Sequence, residues 1–496
     1  MNKTPAHAPL PVVSGSNPSL SLSPLRLAGL CALLALAGGL VLAFGGPLAG
    51  LALILAGAAA FIVLRDIEMG FWGLVAVVCL LPFATLPFDL GLTPTFLDIA
   101  LGVVTGVWLL GLVTGRQRRV ITAPITLPVV IFLIIAIFAF IFGLQNGPFT
   151  PTLARKFAEL LLSIGFILVV VDYCRDWGRL ERLVRVSLIG AGLAALLAIA
   201  LWLLPDATAN AGLNALTRLG YPGGWVIRYI EENPELAERA IGTSVDPNAL
   251  GGLLVLFGAL AAPQLFTPRP LLPRGLTIIL TGLIFVAIML TFSRGAFIAL
   301  GAGLAFLALL RYRRLLPYMV ALLLLILVLP FTQSYVLRLL EGFQGQDLAT
   351  QMRFGEYKDA LELIGRYPLF GVGFAGSPDI DLYLGVANVY LSIAQQMGLL
   401  GLGAFFAIMV TLFGSAFSRR RSFHGQPRLD AVWIGLQAAV VAGLVAGIFD
   451  HYLFNTVFHH TVTAFWLMVG LSAAATRLSD SLNPASPRAE GWLLPD

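Results

Sequence analysis

Arg294 and the pair Asp450–His451 are side chains of types that can bind an anion or move a proton. Arg294 is the only charged residue between Arg274 and Arg311, and it lies in the polar stretch Thr291–Ala296. A lone arginine costs about 2.5–3.5 kcal/mol at the bilayer centre, so it either extends to the membrane surface or serves a function. From these residues alone, both interpretations of Arg294 stay open.

The groups best suited to proton transfer follow later in the chain: Asp450, His451, His459 and His460, with Asp381 as a fifth. The spacing of the three histidines matches no metal-ligand pattern. Asp379 with Asp381 could hold a divalent metal, although an isolated acidic pair in a loop is more often solvated. We therefore predict no metal site.

The elements that must position these groups are membrane helices. Of the 496 residues, 58% are hydrophobic and only 11% are charged, and the mean hydropathy is +0.90. These values exceed those of a soluble domain and indicate a polytopic membrane protein. The three cysteines are too few and too scattered for a disulfide framework.

Apolar runs near bilayer length predict an all-α transmembrane bundle of about 12–14 spans with two long extracytoplasmic loops. The predicted order is a disordered tail at 1–25, a bundle at 26–204, an outer loop at 205–247, hairpins at 248–331, a large outer loop at 332–387, C-terminal spans at 388–476 and a tail at 477–496.

Loop charges predict the orientation. With a cytoplasmic N-terminus, most of the 31 Lys and Arg residues fall in short inner loops, as the positive-inside rule requires. Both termini are then cytoplasmic. Arg294, at the tip of a predicted helical hairpin, and both long loops then lie outside.

Local patterns predict how the long loops meet the membrane. Asp246–Pro247 should start the span at 248, because proline is favoured in the first helical turn. Residues 350–365 have the spacing of an amphipathic helix that carries Arg353, and an intrahelical contact to Glu356 or Tyr357 is one interpretation of that arginine. Asn388, Ser392 and Gln395 make a polar stripe, which alone indicates no more than hydrogen bonds between helices.

Four stretches in series resemble the O-antigen ligase and polymerase superfamily. They are the tip Thr291–Gly295, the corner Gly242–Asn248, the run from Arg353 through Pro368–Gly373, and the helix start Asn388–Leu391 with Gly398–Gly401. Their order and spacing are similar to the family's over roughly 240–470. The N-terminal half resembles it only as a string of spans.

The resemblance implies a bacterial plasma-membrane glycosyltransferase of surface polysaccharide or lipopolysaccharide assembly, with no cofactor or metal and no nucleic acid partner. Its donor would be a glycan on undecaprenyl diphosphate, which an acceptor hydroxyl of a glycan or lipid attacks. The family's arginines correspond to Arg294, Arg353 and, more weakly, Arg239, which would bind the diphosphate bidentately. Ser293, Asn248, Asn388 and Tyr390 are the expected supporting residues.

One position departs from the family pattern. Many members, ligases especially, have a histidine directly before the Asn-x-Tyr-Leu helix start, where this chain has Ala387. Alanine cannot accept a proton, so another group serves, or attack is unassisted, or the chemistry differs. Asp450 and His451 are the predicted substitutes, since both follow the apolar run that ends at Phe449. An interfacial cluster that anchors the helix end is the alternative.

Three classes of function fit the sequence. The first is a glycan ligase or polymerase. The second is a transporter or flippase that binds an anionic or lipid-linked substrate through the same arginines, and polar groups near the bilayer centre would favour it. The third is a non-catalytic membrane partner in envelope assembly.

Overall fold

The computed structural model describes residues 57–86, 93–117, 119–328, 348–378, 382, 384–482 and 492–493, together with Gly39. The chain divides into two compact units, 1–59 and 60–496, and the helix bundle belongs to the second. The predicted tail 1–25, residues 332–347 of the large loop and the acidic pair Asp379 and Asp381 lie outside the described residues.

Residues 60–65 of the second unit are helical, and fourteen further α-helices have defined bounds in its described part. They are α1 (Ile67–Leu80), α2 (Phe96–Val113), α3 (Thr126–Gly143), α4 (Pro151–Tyr173), α5 (Trp177–Leu203), α6 (Asp206–Asn214), α7 (Pro247–Phe266), α8 (Arg274–Leu290), α9 (Arg294–Leu310), α10 (Leu316–Val328), α11 (Leu348–Arg366), α12 (Val389–Arg419), α13 (Pro427–Phe449) and α14 (His459–Leu478). The predicted all-α class is confirmed.

Four two-residue strands accompany the helices in the described residues. Strands β1 (Arg119–Val120) and β4 (Trp492–Leu493) pair antiparallel, as do β2 (Arg228–Tyr229) and β3 (Glu238–Arg239). In the second pair, Arg228 is opposite Arg239 and Tyr229 is opposite Glu238. This hairpin stands in the first predicted outer loop.

Seven described helical segments are long and apolar enough to cross a membrane. They contain α2, α3, α5, α7, α12, α13 and α14, and the shorter apolar helices are α1, α8 and α9. A multi-pass membrane protein is thereby confirmed. The total of 12–14 spans stays a prediction, because much of the first predicted pair lies outside the described residues.

Helices α7, α13 and α14 form the centre of the bundle, and most of their residues are buried. Helix α7 packs against α8, α9 and α13, and α14 packs against α4. The contact faces are rich in alanine and glycine, which lets helix backbones approach closely where lipid provides no hydrophobic drive for association. By contrast, α3 exposes apolar side chains such as Ile134 and Phe138, as a lipid-facing helix must.

Three helix starts are fixed by capping side chains. Asp246 caps α7 with Pro247 in its first turn, Ser293 caps α9, and Asn388 caps α12. Such caps stabilise a helix by about 1 kcal/mol each. The backbone N–H groups that donate to them belong to Ala249 at 2.7 Å, Ala296 at 3.4 Å and Leu391 at 2.9 Å.

Helix α12 is broken at Gly398, and the loop after α11 fills the break. Gly398 has φ 66°, and a Cβ there would lie 2.1 Å from the carbonyl oxygen of Leu369. The N–H of Leu399 donates to Pro368 at 2.7 Å, and that of Val372 donates to Gln395 at 2.9 Å. The Pro-Leu-Phe-Gly-Val-Gly motif therefore ties α11 to α12.

Candidate active site

Arg294 lies at the tip of the helical hairpin formed by α8 and α9, as the sequence predicts. It is the first residue of α9 and is half-buried. The next residue, Gly295, packs on the end of α13, because a Cβ at Gly295 would lie 2.9 Å from the Cβ of Phe449. Glycine therefore allows the tip to approach the residue that precedes Asp450.

Arg239 comes from β3 and binds the same tip. Its Nε donates to the carbonyl oxygen of Thr291 at 2.8 Å, and its Nη2 donates to Oδ1 of Asn248. Burial lowers the pKa of Arg239, and the charge of Asp246 opposes that effect. The positive charge of nearby Arg294 also lowers the pKa of Arg239. Two arginines therefore lie on this side of the site.

Arg353 enters from α11 and pairs with a residue distant in sequence. Its Nη2 lies 3.5 Å from Oδ2 of Asp450, which makes an ion pair. Arg353 is partly exposed, whereas the Asp450 side chain is only 12% exposed. Arg353 thus links the amphipathic helix α11 to the end of α13. From the sequence, an intrahelical contact to Glu356 or Tyr357 was one interpretation of this arginine.

Asp450 also orients His451. The backbone N–H of His451 donates to Oδ1 of Asp450 at 2.8 Å, and His451 Nδ1 lies 3.1 Å from the same oxygen. Burial opposes protonation of His451, but the negative charges of Asp450, Glu356 and Asp246 outweigh it. The pKa of His451 is therefore raised above its ordinary value.

Tyr452 completes the contacts of this carboxylate. Its hydroxyl donates to Oδ2 of Asp450. Burial raises the pKa of Tyr452 well above that of a free tyrosine, and the charge of Asp450 adds to the effect. Tyr452 is therefore a permanent donor, and Asp450 holds Arg353, His451 and Tyr452 in one arrangement.

Two further carboxylates surround the site. Glu356 accepts a hydrogen bond from the backbone N–H of Ala387 at 2.9 Å, and its charge raises the pKa of His451. Burial raises the pKa of Asp246, and nearby Asp450 adds to that rise. We use the name charged cluster for the following residues: Arg239, Asp246, Arg294, Arg353, Glu356, Asp450 and His451.

Asp246, Glu356 and Tyr452 are not among the site residues that the sequence predicts. Asp246 had a local explanation as the start of α7, and Glu356 was considered only as a neighbour of Arg353. Their signal was adjacency to the family-like motifs. It could not be used without knowing that the start of α7, the first turns of α11 and the end of α13 lie close together.

The remaining expected supporting residues hold helices in place. Asn388 donates from Nδ2 to the carbonyl oxygen of Ile448 at 2.9 Å, next to the Asp450 turn. Tyr390 donates to Leu444 at 2.7 Å, which ties α12 to α13. Ser293 caps α9, and Asn248 receives Arg239. Of this set, Asn248 accepts a hydrogen bond through its side chain from Arg239 of the charged cluster.

His459 and His460 are placed differently from His451. His459 Nδ1 lies 3.0 Å from Oε2 of Glu159, and its Nε2 lies 3.0 Å from the carbonyl oxygen of Lys156. His460 packs edge-on against the ring of Phe83. Of the four candidate proton-transfer groups near the end of the chain, Asp450 contacts Arg353 and His451 contacts Asp450. His459 and His460 have other neighbours.

Fold and site together define a multi-pass, all-α membrane protein with a charged cluster at one end of its bundle. Residues 279–406 match the sequence model of a family described as O-antigen ligase. The matched segment contains Arg294, Arg353 and the start of α12, and it confirms the resemblance to the O-antigen ligase and polymerase superfamily. No curated protein matches the chain.

Proposed function

We propose that this protein transfers or polymerises a glycan from an undecaprenyl-diphosphate-linked donor at the extracytoplasmic face of the bacterial plasma membrane. The observation that carries the proposal is the Asp450 carboxylate, which contacts Arg353 on one side and His451 on the other. An anion-binding group and a proton-accepting group are thereby held together. The family match over 279–406 supports the same chemistry.

The arginines act on the leaving group. When the bond between the anomeric carbon and the diphosphate breaks, the electron pair passes to the diphosphate oxygen. Guanidinium groups stabilise that charge through paired, charge-assisted hydrogen bonds. Arg294 and Arg239 lie on the tip side, and Arg353 approaches from α11, so the diphosphate would be held from two sides.

His451 acts on the acceptor. Its Nδ1 lies 3.1 Å from Oδ1 of Asp450 but is not aligned for a hydrogen bond to that oxygen. The negative charge of the carboxylate favours the tautomer with the proton on Nδ1 and leaves Nε2 as the acceptor. The acceptor oxygen attacks the anomeric carbon and gives its proton to Nε2. This assignment supplies a base although Ala387 replaces the family histidine, and Glu356 adds negative charge on the Ala387 side.

Charge at the two ends of the bundle supports the orientation. The end opposite the charged cluster carries ion pairs between helices, such as Arg311–Asp430, Arg419–Asp480 and Arg428–Glu181. It also carries the arginine-rich turn between α12 and α13. An arginine-rich end is retained in the cytoplasm, so the charged cluster and both long loops face outward and both termini face inward.

The test is a transfer assay in proteoliposomes with an undecaprenyl-diphosphate-linked repeat unit. We expect the glycan to lengthen on the lipid or to move to an added lipid or glycan acceptor. Arg294→Ala should abolish transfer, and Arg294→Lys should recover little, because a single ammonium cannot replace the planar fork. Arg313→Ala, at the opposite end, is the matched control and should retain full activity. Glycan that crosses the bilayer without transfer would instead identify a flippase.

A further inference from the structure

The segment between α5 and α7 presents an exposed tryptophan that the fold holds in place. The Trp225 residue is 59% exposed, and it follows Gly224 in the first predicted outer loop. The amide side chains of Asn210 and Asn214 bind the backbone on both sides of it. Asn214 Oδ1 accepts from Gly224 N–H at 2.9 Å, and Asn210 Oδ1 accepts from Val226 N–H at 2.9 Å.

The same amides also donate to the carbonyl oxygen of Gly224, at 3.1 Å from Asn210 and 2.8 Å from Asn214. Four hydrogen bonds from two residues of one helix therefore fix the turn that carries the indole. A side chain that is exposed on a fixed backbone loses little conformational entropy on binding a ligand. Trp225 is in this sense preorganised.

A polar edge lies beside the indole. The Tyr229 hydroxyl donates to Oδ2 of Asp206. Asp206 lies one helical turn before Asn210 on α6, the helix that fixes the turn carrying Trp225. Glu238 is opposite Tyr229 in the hairpin, and its carboxyl group lies close enough to that of Asp206 for the two to interact electrostatically. Burial, with the charge of Asp206, raises the pKa of Glu238 to about 7. Near neutral pH the pair can therefore both donate and accept hydrogen bonds.

An aromatic face next to carboxyl groups suits a sugar ring. The C–H groups on one face of a pyranose meet the negative face of the indole, while its hydroxyls bond to carboxyl oxygens. A membrane-surface role for Trp225 fits less well. Residues 205–240 contain five acidic and three basic side chains, and a net negative segment is not attracted to anionic headgroups.

The hairpin joins this surface to the charged cluster. Glu238 and Arg239 are consecutive in β3, so one strand carries a carboxyl of the polar edge and a guanidinium of the diphosphate site. The strand is fixed from both sides. Trp202 Nε1 donates to the carbonyl oxygen of Glu238 at 3.1 Å, and the Ala240 N–H donates to Leu290 at 2.8 Å.

We propose that Trp225, Asp206 and Glu238 form a saccharide-binding subsite that holds a glycan unit beyond the one that reacts. As a subsite of the transfer reaction it rests on the function proposed above. Its ligand class is a neutral or weakly charged pyranose chain. The subsite would retain a growing or incoming glycan at the outer surface while its end reaches the charged cluster.

The test measures binding without transfer. The probe is a set of oligosaccharides released by mild acid from the surface polysaccharide of the organism that encodes the protein. Binding to the full-length protein in nanodiscs is followed by calorimetry. We expect Trp225→Ala to weaken binding about five- to tenfold, and Trp225→Phe, which keeps an aromatic face, to weaken it less than about threefold.

Trp72→Ala is the matched control, because Trp72 is a 38% exposed tryptophan on the apolar helix α1. It should bind the probe as the parent does. Equal binding by the parent and Trp225→Ala, or no binding by the parent, would overturn the subsite. The subsite would also be overturned if Trp225→Ala changed the quenching of tryptophan fluorescence by brominated lipids and left oligosaccharide binding unchanged. That result would place Trp225 at the lipid surface.

Subsite and transfer can fail separately in these experiments. If Trp225-dependent binding occurs but the parent transfers no glycan, the subsite stands and the proposed transferase function is wrong. If the parent transfers glycan and Trp225→Ala alters neither binding nor the KM for the acceptor glycan, the subsite is wrong and the transferase stands. Arg294→Ala should lose transfer and keep oligosaccharide binding.

Discussion

Replacing Asp450 by asparagine should disable the site while changing one atom of the side chain. In the parent, Oδ1 faces the N–H and Nδ1 of His451, and Oδ2 faces Arg353 and the Tyr452 hydroxyl. Every one of these partners can donate. An amide has one oxygen and one NH₂ group, so in either orientation the NH₂ group meets donors on one side.

The size of the effect follows from these contacts. Leaving a buried donor without an acceptor costs about 1–3 kcal/mol. A free-energy change of about 1.4 kcal/mol corresponds to a factor of ten. Loss of a correctly oriented general base costs about 10²–10⁴ in rate. We expect Asp450→Asn to lower kcat/KM for glycan transfer about 10²- to 10³-fold, and His451→Ala to lower it at least as much.

The pH profile distinguishes a base from a structural anchor. His451 must be unprotonated to accept a proton, so its pKa sets the acidic limb of kcat/KM. Asp450 raises that pKa, against the opposing effect of burial. Asp450→Asn removes the negative charge that opposes the effect of burial, so the pKa of His451 should fall. The acidic limb of kcat/KM should therefore move to lower pH.

The assay is transfer in proteoliposomes between about pH 5 and pH 9, with insertion checked for each variant. Asp480→Asn is the matched control, since Asp480 also accepts from an arginine, Arg419 at 2.7 Å, but at the opposite end. If Asp450→Asn stays within about threefold of the parent at every pH, or if its acidic limb moves upward, His451 is not the base that Asp450 orients.

Two further predictions address geometry and orientation. Gly295→Val should reduce transfer at least about tenfold without preventing insertion, because even a Cβ at this position lies 2.9 Å from Phe449 and must displace the tip; unchanged kinetics would show that tip position does not matter. In a cysteine-free background, cysteine at exposed Glu235 should react with an impermeant thiol reagent from outside, and cysteine at exposed Gln426 should not. Labelling in the reverse pattern would invert the proposed orientation.

The sequence alone determined the class of protein and several local structures. Hydropathy and length predicted an all-α membrane bundle, because any span must satisfy its backbone hydrogen bonds internally and cover itself with apolar side chains. Asp246–Pro247 and Asn388 begin helices where expected, and the cap at Ser293 is equally local, since capping depends on neighbours within one turn. Local patterns also predict the hairpin tip at Arg294, from a polar stretch between two apolar runs, and the amphipathic helix α11, from its helical spacing.

The tertiary structure alone decided which of these pieces meet. Asp450 pairs with Arg353, Glu356 binds Ala387, and Arg239 binds the tip, although each pair joins separate elements. Apolar patterning is compatible with many arrangements of the same spans. The choice among them depends on close packing of small residues and on satisfying buried charges, and both are properties of several helices at once. For that reason the sequence could propose Asp450 and His451 as candidates, while their orientation by one shared carboxylate emerged only from the packed bundle.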